Sequence, residues 1–262
     1  MIKRFVEWLK LPETRNIKDL DAVSTTKLHG QIIQRKEFLK KLYVDLYKEF
    51  AISKRGLDGL LIELGSGGGF LKEVIPDVIT SDILPVPGID LCFSGLSMPF
   101  PDQTVSAFFM IDVLHHLPDS VLFFKEVERC LKVGGKCVMI EPANTLWARF
   151  IYQNFHHEEF NPEGEWGFEG NRPLSDANGA IPWIIFCRDR ERFEKEFPNL
   201  KIAHLSFSIP FRYLLSGGLS MRSLVPSFLY EAVKGIEFIL SPLNRYLGMF
   251  MKVTVDKMQM KL

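Results

Sequence analysis

An open α/β sheet is the fold this sequence predicts. From residue 60 to residue 141 short apolar runs alternate with segments of helical periodicity, which is the pattern of parallel strands joined by crossovers. The first run, Leu60 to Phe70 (LLIELGSGGGF), ends in a carboxylate at Glu63 and glycines at 65, 67, 68 and 69. A buried strand that stops at clustered glycines turns sharply, and that turn is where open α/β sheets bind nucleotides. Glycine serves there because it adopts positive φ and lets a ligand approach the backbone with no Cβ in the way.

The elements follow in order. Ile32, Phe38, Leu39, Leu42, Leu46 and Phe50 fall at helical spacing, so one amphipathic helix is expected over 27–50. Strand one is Leu60 to Leu64, its helix Gly68 to Val74, and strand two Asp77 to Ser81. A short third strand, Ile89 to Phe93, has no room for a full helix before it. Strand four is Val105 to Ile111, and the next helix, Asp119 to Leu131, has Asp119 as its N-cap and Gly134–Gly135 as its stop. Strand five is Lys136 to Glu141. Residues 155–182 lack periodicity and read as a long ordered loop or lid. A charged helix, Arg188 to Phe197, precedes strand six, Lys201 to Phe207, and a last strand runs from Phe250 to Val255.

Composition narrows the function. Lys plus Arg and Asp plus Glu are both 32, so no net field would draw in nucleic acid or another polyanion. Cys92, Cys130, Cys137 and Cys187 show no CxxC spacing, and Cys92 and Cys137 sit in strand-like runs. Buried reduced thiols and a reducing, cytoplasmic setting are therefore expected. The N-terminal stretch MIKRFVEWLKLPETR is interrupted by Glu7 and Lys10 and lacks a signal-peptide core. No apolar run approaches the ~20 residues of a membrane span, which leaves peripheral contact as the available membrane interaction.

The glycine run admits two readings. A dinucleotide turn, GxGxxG, would need a third glycine where Phe70 stands, which keeps a nicotinamide-dependent oxidoreductase as an imperfect alternative. The pattern ExGxGxG is met at every fixed position by Glu63 to Gly69, and Asp82 follows just past strand two, where a carboxylate can accept both ribose hydroxyl protons. Further blocks follow: Ser97 to Asp102 (SMPFPD), Phe109 to Asp119 (FMIDVLHHLPD), Leu131 to Gly135 (LKVGG) and Ile140 to Pro142 (IEP). In order and spacing these blocks resemble the class I S-adenosylmethionine-dependent methyltransferase domain over about residues 56–142.

That resemblance implies a three-layer, Rossmann-like sheet of seven mostly parallel strands, order 3-2-1-4-5-7-6, the last antiparallel, with helical insertions. It implies S-adenosylmethionine as cofactor, with S-adenosylhomocysteine as product. Glu63, Gly65, Ser66 and Gly67 would face its methionine and ribose parts, Asp82 the ribose, and Ile83 one face of the adenine. The adenine-edge position, usually Asp in the family, falls on Ser94 and Gly95, which removes an acceptor for the adenine amino group. Ile111 and Asp112 would border the methionine portion and the transferable methyl. The organisation expected is an N-terminal helical region at 1–55, a cofactor-binding half at 56–142, and an acceptor-side half at 143–262 in one continuous domain. That last half would carry a lid at 143–182 and a helical insertion at 208–249.

Methyl transfer from a sulfonium is an in-line displacement with a good leaving group, so the protein mainly has to position the nucleophile and keep the site dry. A hydroxyl acceptor would benefit from a base. The candidates are His115 in the His115–His116 pair, and His157 and Glu158 in the run His156–His157–Glu158; Asp176 and Asn178 share that polar insertion. No metal site is expected, because adjacent loop histidines have no fixed ligand spacing. In the second insertion Phe228, Tyr230, Val233, Ile236, Phe238 and Leu240 are too many for one helical stripe, so the segment is either core or rests against something apolar. Arg212, Arg222 and Arg245 could flank an anionic head group. The expected function is methyl transfer to a small or lipid-like acceptor, at oxygen. A non-catalytic cofactor-binding or membrane-surface module is the further alternative.

Overall fold

The computed structural model describes residues 8–15, 17–156, 158–170 and 172–259. Seven strands form one sheet in the order β3-β2-β1-β4-β5-β7-β6. These are β1 Leu60–Glu63, β2 Val78–Asp82, β3 Leu91–Cys92, β4 Val105–Ile111, β5 Leu131–Pro142, β6 Leu200–Ser208 and β7 Phe250–Lys257. β1 to β5 pair in parallel, while β7 runs antiparallel to both β5 and β6. This order puts the C-terminal ends of β1 and β4 side by side at the centre, the reversal point where open α/β sheets bind ligands.

The central strands are apolar on both faces because both are covered. On one side Phe50, from the helix Glu37–Ser53, stacks on Phe109 of β4 at 5.0 Å. On the other, Phe124 of the helix Ser120–Cys130, with Phe123 packed edge-on against it, meets Phe186, Phe193 and Phe197, with Phe124 to Phe193 at 5.1 Å. The helices in chain order are α1 Val23–Arg35, α2 Glu37–Ser53, α3 Ser120–Cys130, α4 Leu146–Phe155, the short α5 Ile181–Trp183, α6 Arg190–Glu196, α7 Arg212–Ser216, α8 Tyr230–Ile239 and α9 Asn244–Leu247. α5 runs on into a π-helical turn, Ile184–Arg188.

Four expectations are corrected. The single helix over 27–50 is two helices, α1 and α2, broken at Lys36, whose Nζ donates to the carbonyls of Gly218 at 2.6 Å and Met221 at 2.7 Å. That buried anchorage fixes the bend between them. The helix expected over Gly68 to Val74 is a 3₁₀ turn, Leu71–Glu73, because the Phe70 N–H donates to Tyr47 Oη and three successive glycines give helix little support. Gly134–Gly135 do not stop α3, which ends at Cys130; they lie inside β5, beside a register shift against β4. Cys92 is exposed on the two-residue edge strand rather than buried.

Candidate active site

The glycine turn is held open by contacts that leave no room for side chains. Gly65 has φ +64°, and a Cβ there would overlap Val113; a Cβ on Gly68 would overlap the backbone of Gly30 in α1. α1 therefore seats on the turn through a glycine-to-glycine contact. The turn is tied to β2 by Ser66, whose N–H donates to Ser81 O at 2.8 Å while its Oγ accepts from Ser81 N. That same hydroxyl donates to Glu63 Oε2 at 2.7 Å. Burial, with the nearby Asp82 charge, pushes the Glu63 carboxyl up to about 7 despite the Ser66 bond. Asp82 closes the other side, accepting from Gly67 N and Leu84 N, each at 2.9 Å, and burial raises its carboxyl as well.

A cavity of about 740 Å³ opens from this turn. Its lining includes Glu63, Gly65, Ser66, Gly67, Asp82, Ile83, Ser94, Gly95, Ile111, Asp112, His115 and Glu158, so the residues expected at the cofactor share one space with His115 and Glu158. His157 lies outside the described residues. The backbone cradle and the paired carboxylates fit an adenosyl group carrying ribose hydroxyls and a cationic methionine end: glycines admit close approach, Asp82 offers acceptors, and Glu63 offers charge. Away from the turn the walls become apolar and aromatic, with Tyr43, Ile151, Tyr152, Phe155, Phe160 and Tyr213.

Between the two zones lies a titratable cluster that the fold assembles from three segments. Asp112 follows the last residue of β4 with φ +54°, and burial, with Glu141 and Glu158 nearby, pushes its carboxyl up to about 7 despite the opposing charge of His115. Glu141, at the end of β5 and fully buried, accepts from the N–H groups of Val113 and Leu114 through Oε1 and pairs with His115 Nδ1 through Oε2 at 2.7 Å. Glu158 comes from the polar insertion, and its carboxylate stands 3.5 Å from His115 Nε2 and 3.8 Å from His116 Nε2. Burial disfavours charge on His115, but Glu141 and Glu158 outweigh it and push the ring up to about 10. Burial, then the His115 charge, pushes His116 down to about 4. Burial would raise Glu158, yet its neighbouring histidines hold it well below the usual carboxylate range.

This geometry changes the reading of several candidates. His115 has both nitrogens facing carboxylates, which favour its protonated form over the free base expected of it. Asp176 and Asn178 brace the insertion instead of lining the cavity: Asp176 pairs with Arg172 at 2.8 Å, and Asn178 ties to Asn161 through Oδ1 and Nδ2. Arg212 does not flank a head group; it is buried against Asp45, Glu237 and Tyr230. Glu141 carries a signal the sequence does contain, since its place after an apolar run mirrors that of Glu63. The aromatic wall residues carried no local signal, because they come from helices that the sequence separates.

Comparison with known proteins agrees with the geometry. Residues 62–139 match a family model described as a methyltransferase domain. A sterol 4-C-methyltransferase of Caenorhabditis elegans is 23% identical over 207 residues, covering 70% of this chain, and the chain spans only 59% of that relative. Among solved structures, an S-adenosylmethionine-dependent methyltransferase from Archaeoglobus fulgidus aligns with TM-score 0.51 and 14% identity over 83% of this chain and 94% of its own. A chain from the complex of the Haloferax volcanii Trm112 methyltransferase activator with a methyltransferase also aligns at 0.51, with 13% identity over 93% of this chain and all of its own. The family match falls on the segment that carries the glycine turn, Asp82, Asp112 and His115, where the nicotinamide alternative finds no support. The chain carries a class I S-adenosylmethionine-dependent methyltransferase domain.

Proposed function

We propose that this protein transfers the methyl group of S-adenosylmethionine to an oxygen of an apolar, lipid-like acceptor. The observation that carries the reading is the continuity of one cavity from the glycine turn, past Asp112, into an aromatic chamber. A space of this size lies within the ~300–1,000 Å³ range of small-molecule sites. Glu63, Gly65, Ser66 and Gly67 hold the methionine and ribose parts, Asp82 the ribose hydroxyls, Ile83 an adenine face, and Ser94 and Gly95 the adenine edge. Ile111 and Asp112 border the sulfonium, which supplies the transferable methyl. The chamber walls exclude water and align the acceptor, while Asp112 faces it as a carboxylate able to accept a hydroxyl proton. The sterol-related name of the nematode relative is in keeping with an apolar acceptor.

The acceptor is taken from a bilayer surface. α8 is inverted relative to an ordinary surface helix: it buries Glu237 and Tyr230 against Arg212 and exposes Ile236, Phe238 and Ile239, the last two at 79% and 75%. Leu146, Phe150 and Phe155 of α4 are exposed as well, and α9, which carries Tyr246, packs on α4. Phe155 also lines the cavity, so the apolar surface runs to its mouth, with Arg149 and Arg245 on the same helices. Such a surface suits interfacial rather than transmembrane binding, and among the described residues no helix is long and apolar enough to cross a membrane. The four free cysteines are in keeping with a reducing cytoplasm.

The test uses the full chain, methyl-labelled cofactor and fractionated host lipids. Label entering an organic-extractable product, and lost in Asp82→Ala, is the expected result. Label confined to nucleic acid or protein would overturn the acceptor class.

A further inference from the structure

We propose that His115, His116 and Glu158 form a binding site for a divalent transition-metal cation on the wall of the acceptor chamber. The three ligand atoms, one from each side chain, lie within 4.8 Å of one another, and all three residues line the cavity. The proposal deepens the preceding reading by giving the chamber a cation to hold an acceptor oxygen, but binding of the metal itself does not depend on that reading.

Three features favour a cation over a chain of ion pairs. The outward-facing nitrogens are fixed as ligands: Nδ1 of His115 meets the Glu141 carboxylate at 2.7 Å, and Nδ1 of His116 faces the Asp176 carbonyl at 3.4 Å. Both partners are acceptors only, so each Nδ1 is the protonated nitrogen and Nε2 of the neutral ring carries the lone pair. A carboxylate behind one imidazole and a carbonyl behind the other is the outer support that metal-ligating histidines ordinarily have. The spacing is the second feature. A carboxylate that closes on a charged ring sits at about 2.7–2.9 Å, which is what Glu141 does. Glu158 instead turns one oxygen toward each ring, Oε2 standing 3.5 Å from His115 Nε2 and Oε1 3.8 Å from His116 Nε2. Each separation taken singly approaches the ligand-to-ligand distance of roughly 3.4 Å expected for metal–ligand bonds of about 2.0–2.1 Å.

Charge is the third. With neutral rings, Glu158 supplies one negative charge directly and Glu141 a second through His115, which balances a divalent cation. His156 brings a further nitrogen close, its Nδ1 being 3.7 Å from Glu158 Oε2. Two imidazoles and one carboxylate suit borderline cations such as Zn²⁺, Co²⁺ or Fe²⁺, and leave coordination positions open to the chamber.

Co²⁺ titration of the full, metal-stripped chain, without cofactor, tests the site by its visible d–d absorption and by calorimetry. One equivalent is expected to bind with a visible band, and His116→Ala and Glu158→Gln are each expected to weaken binding by at least about 10-fold. S-adenosylhomocysteine affinity serves as the folding control and should be retained in both variants. Absence of a band and of binding heat in the wild type overturns the site, and so does wild-type Co²⁺ affinity in both variants. Co²⁺ binding in a protein that takes up no S-adenosylhomocysteine would leave the metal site standing and remove the cofactor reading.

Discussion

Every residue assigned to the adenosyl group lies between Glu63 and Asp112, in chain order, at strand ends and in the turns that follow them. The acceptor chamber is made differently. Its walls come from α2, β4, the loop after it, α4, the polar insertion and α7, and its charged cluster joins residues that the chain separates by tens of positions. The first region is specified by local backbone geometry, since a positive-φ glycine or a carboxylate ending a parallel strand means the same thing in any sheet of this type. The second is specified by packing between distant elements. Substitutions should therefore separate the two, with turn variants losing cofactor and chamber variants losing other properties while keeping it.

The largest expected effect lies in the insertion. Arg212→Met would leave Asp45 and Glu237 without the guanidinium that now pairs with both, at 2.7 and 2.5 Å. Removing one partner of a buried pair costs about 3–5 kcal/mol, so thermal unfolding followed by circular dichroism should shift down accordingly. Lys234, 2.7 Å from Asp45, moderates the loss at that end alone. An unchanged melting curve would mean that the insertion is not part of the cooperative unit.

Next comes Gly65→Val, which forces a branched side chain into a φ of +64° and against Val113. S-adenosylhomocysteine binding should weaken by about 10- to 100-fold, or about 1.4–2.8 kcal/mol. Calorimetry showing wild-type affinity would break the link between the turn and the cofactor. On the chamber side, Phe238→Ser combined with Ile239→Ser removes two exposed apolar side chains from α8. Partitioning to anionic liposomes should fall by at least about 10-fold with cofactor affinity unchanged. Equal sedimentation of variant and wild type would remove the bilayer surface as partner.

The smallest effect is one of pH. Glu63 has a folded value near 7 against an ordinary 4.5, so the folded state retains a proton that the unfolded chain releases between those values. Its contribution to stability is thus greatest at low pH and declines as pH rises from about 4.5 to 7. Binding of the cationic cofactor has the opposite sign, because ionised Glu63 attracts it. Affinity for S-adenosylmethionine should rise several-fold between pH 6 and 8, and Glu63→Gln should flatten both trends. A wild-type slope surviving in that variant would assign the titration elsewhere.

The sequence itself determined the alternation of strands and crossovers and the glycine turn, because strand periodicity and glycine at positive φ are local consequences of residue type; the sheet order was what its resemblance to the methyltransferase domain implies. It was silent on the break at Lys36, whose cause is a pair of carbonyls some 180 positions away. Periodicity alone also left α8 open between core and an apolar contact; its apolar residues face outward because Arg212 and Asp45 draw Glu237 and Tyr230 inward. Only the tertiary structure decided that His115, His116 and Glu158 share one chamber. Contacts of that kind arise when packed elements bring distant side chains within a few ångströms, and no spacing along the chain encodes such a distance.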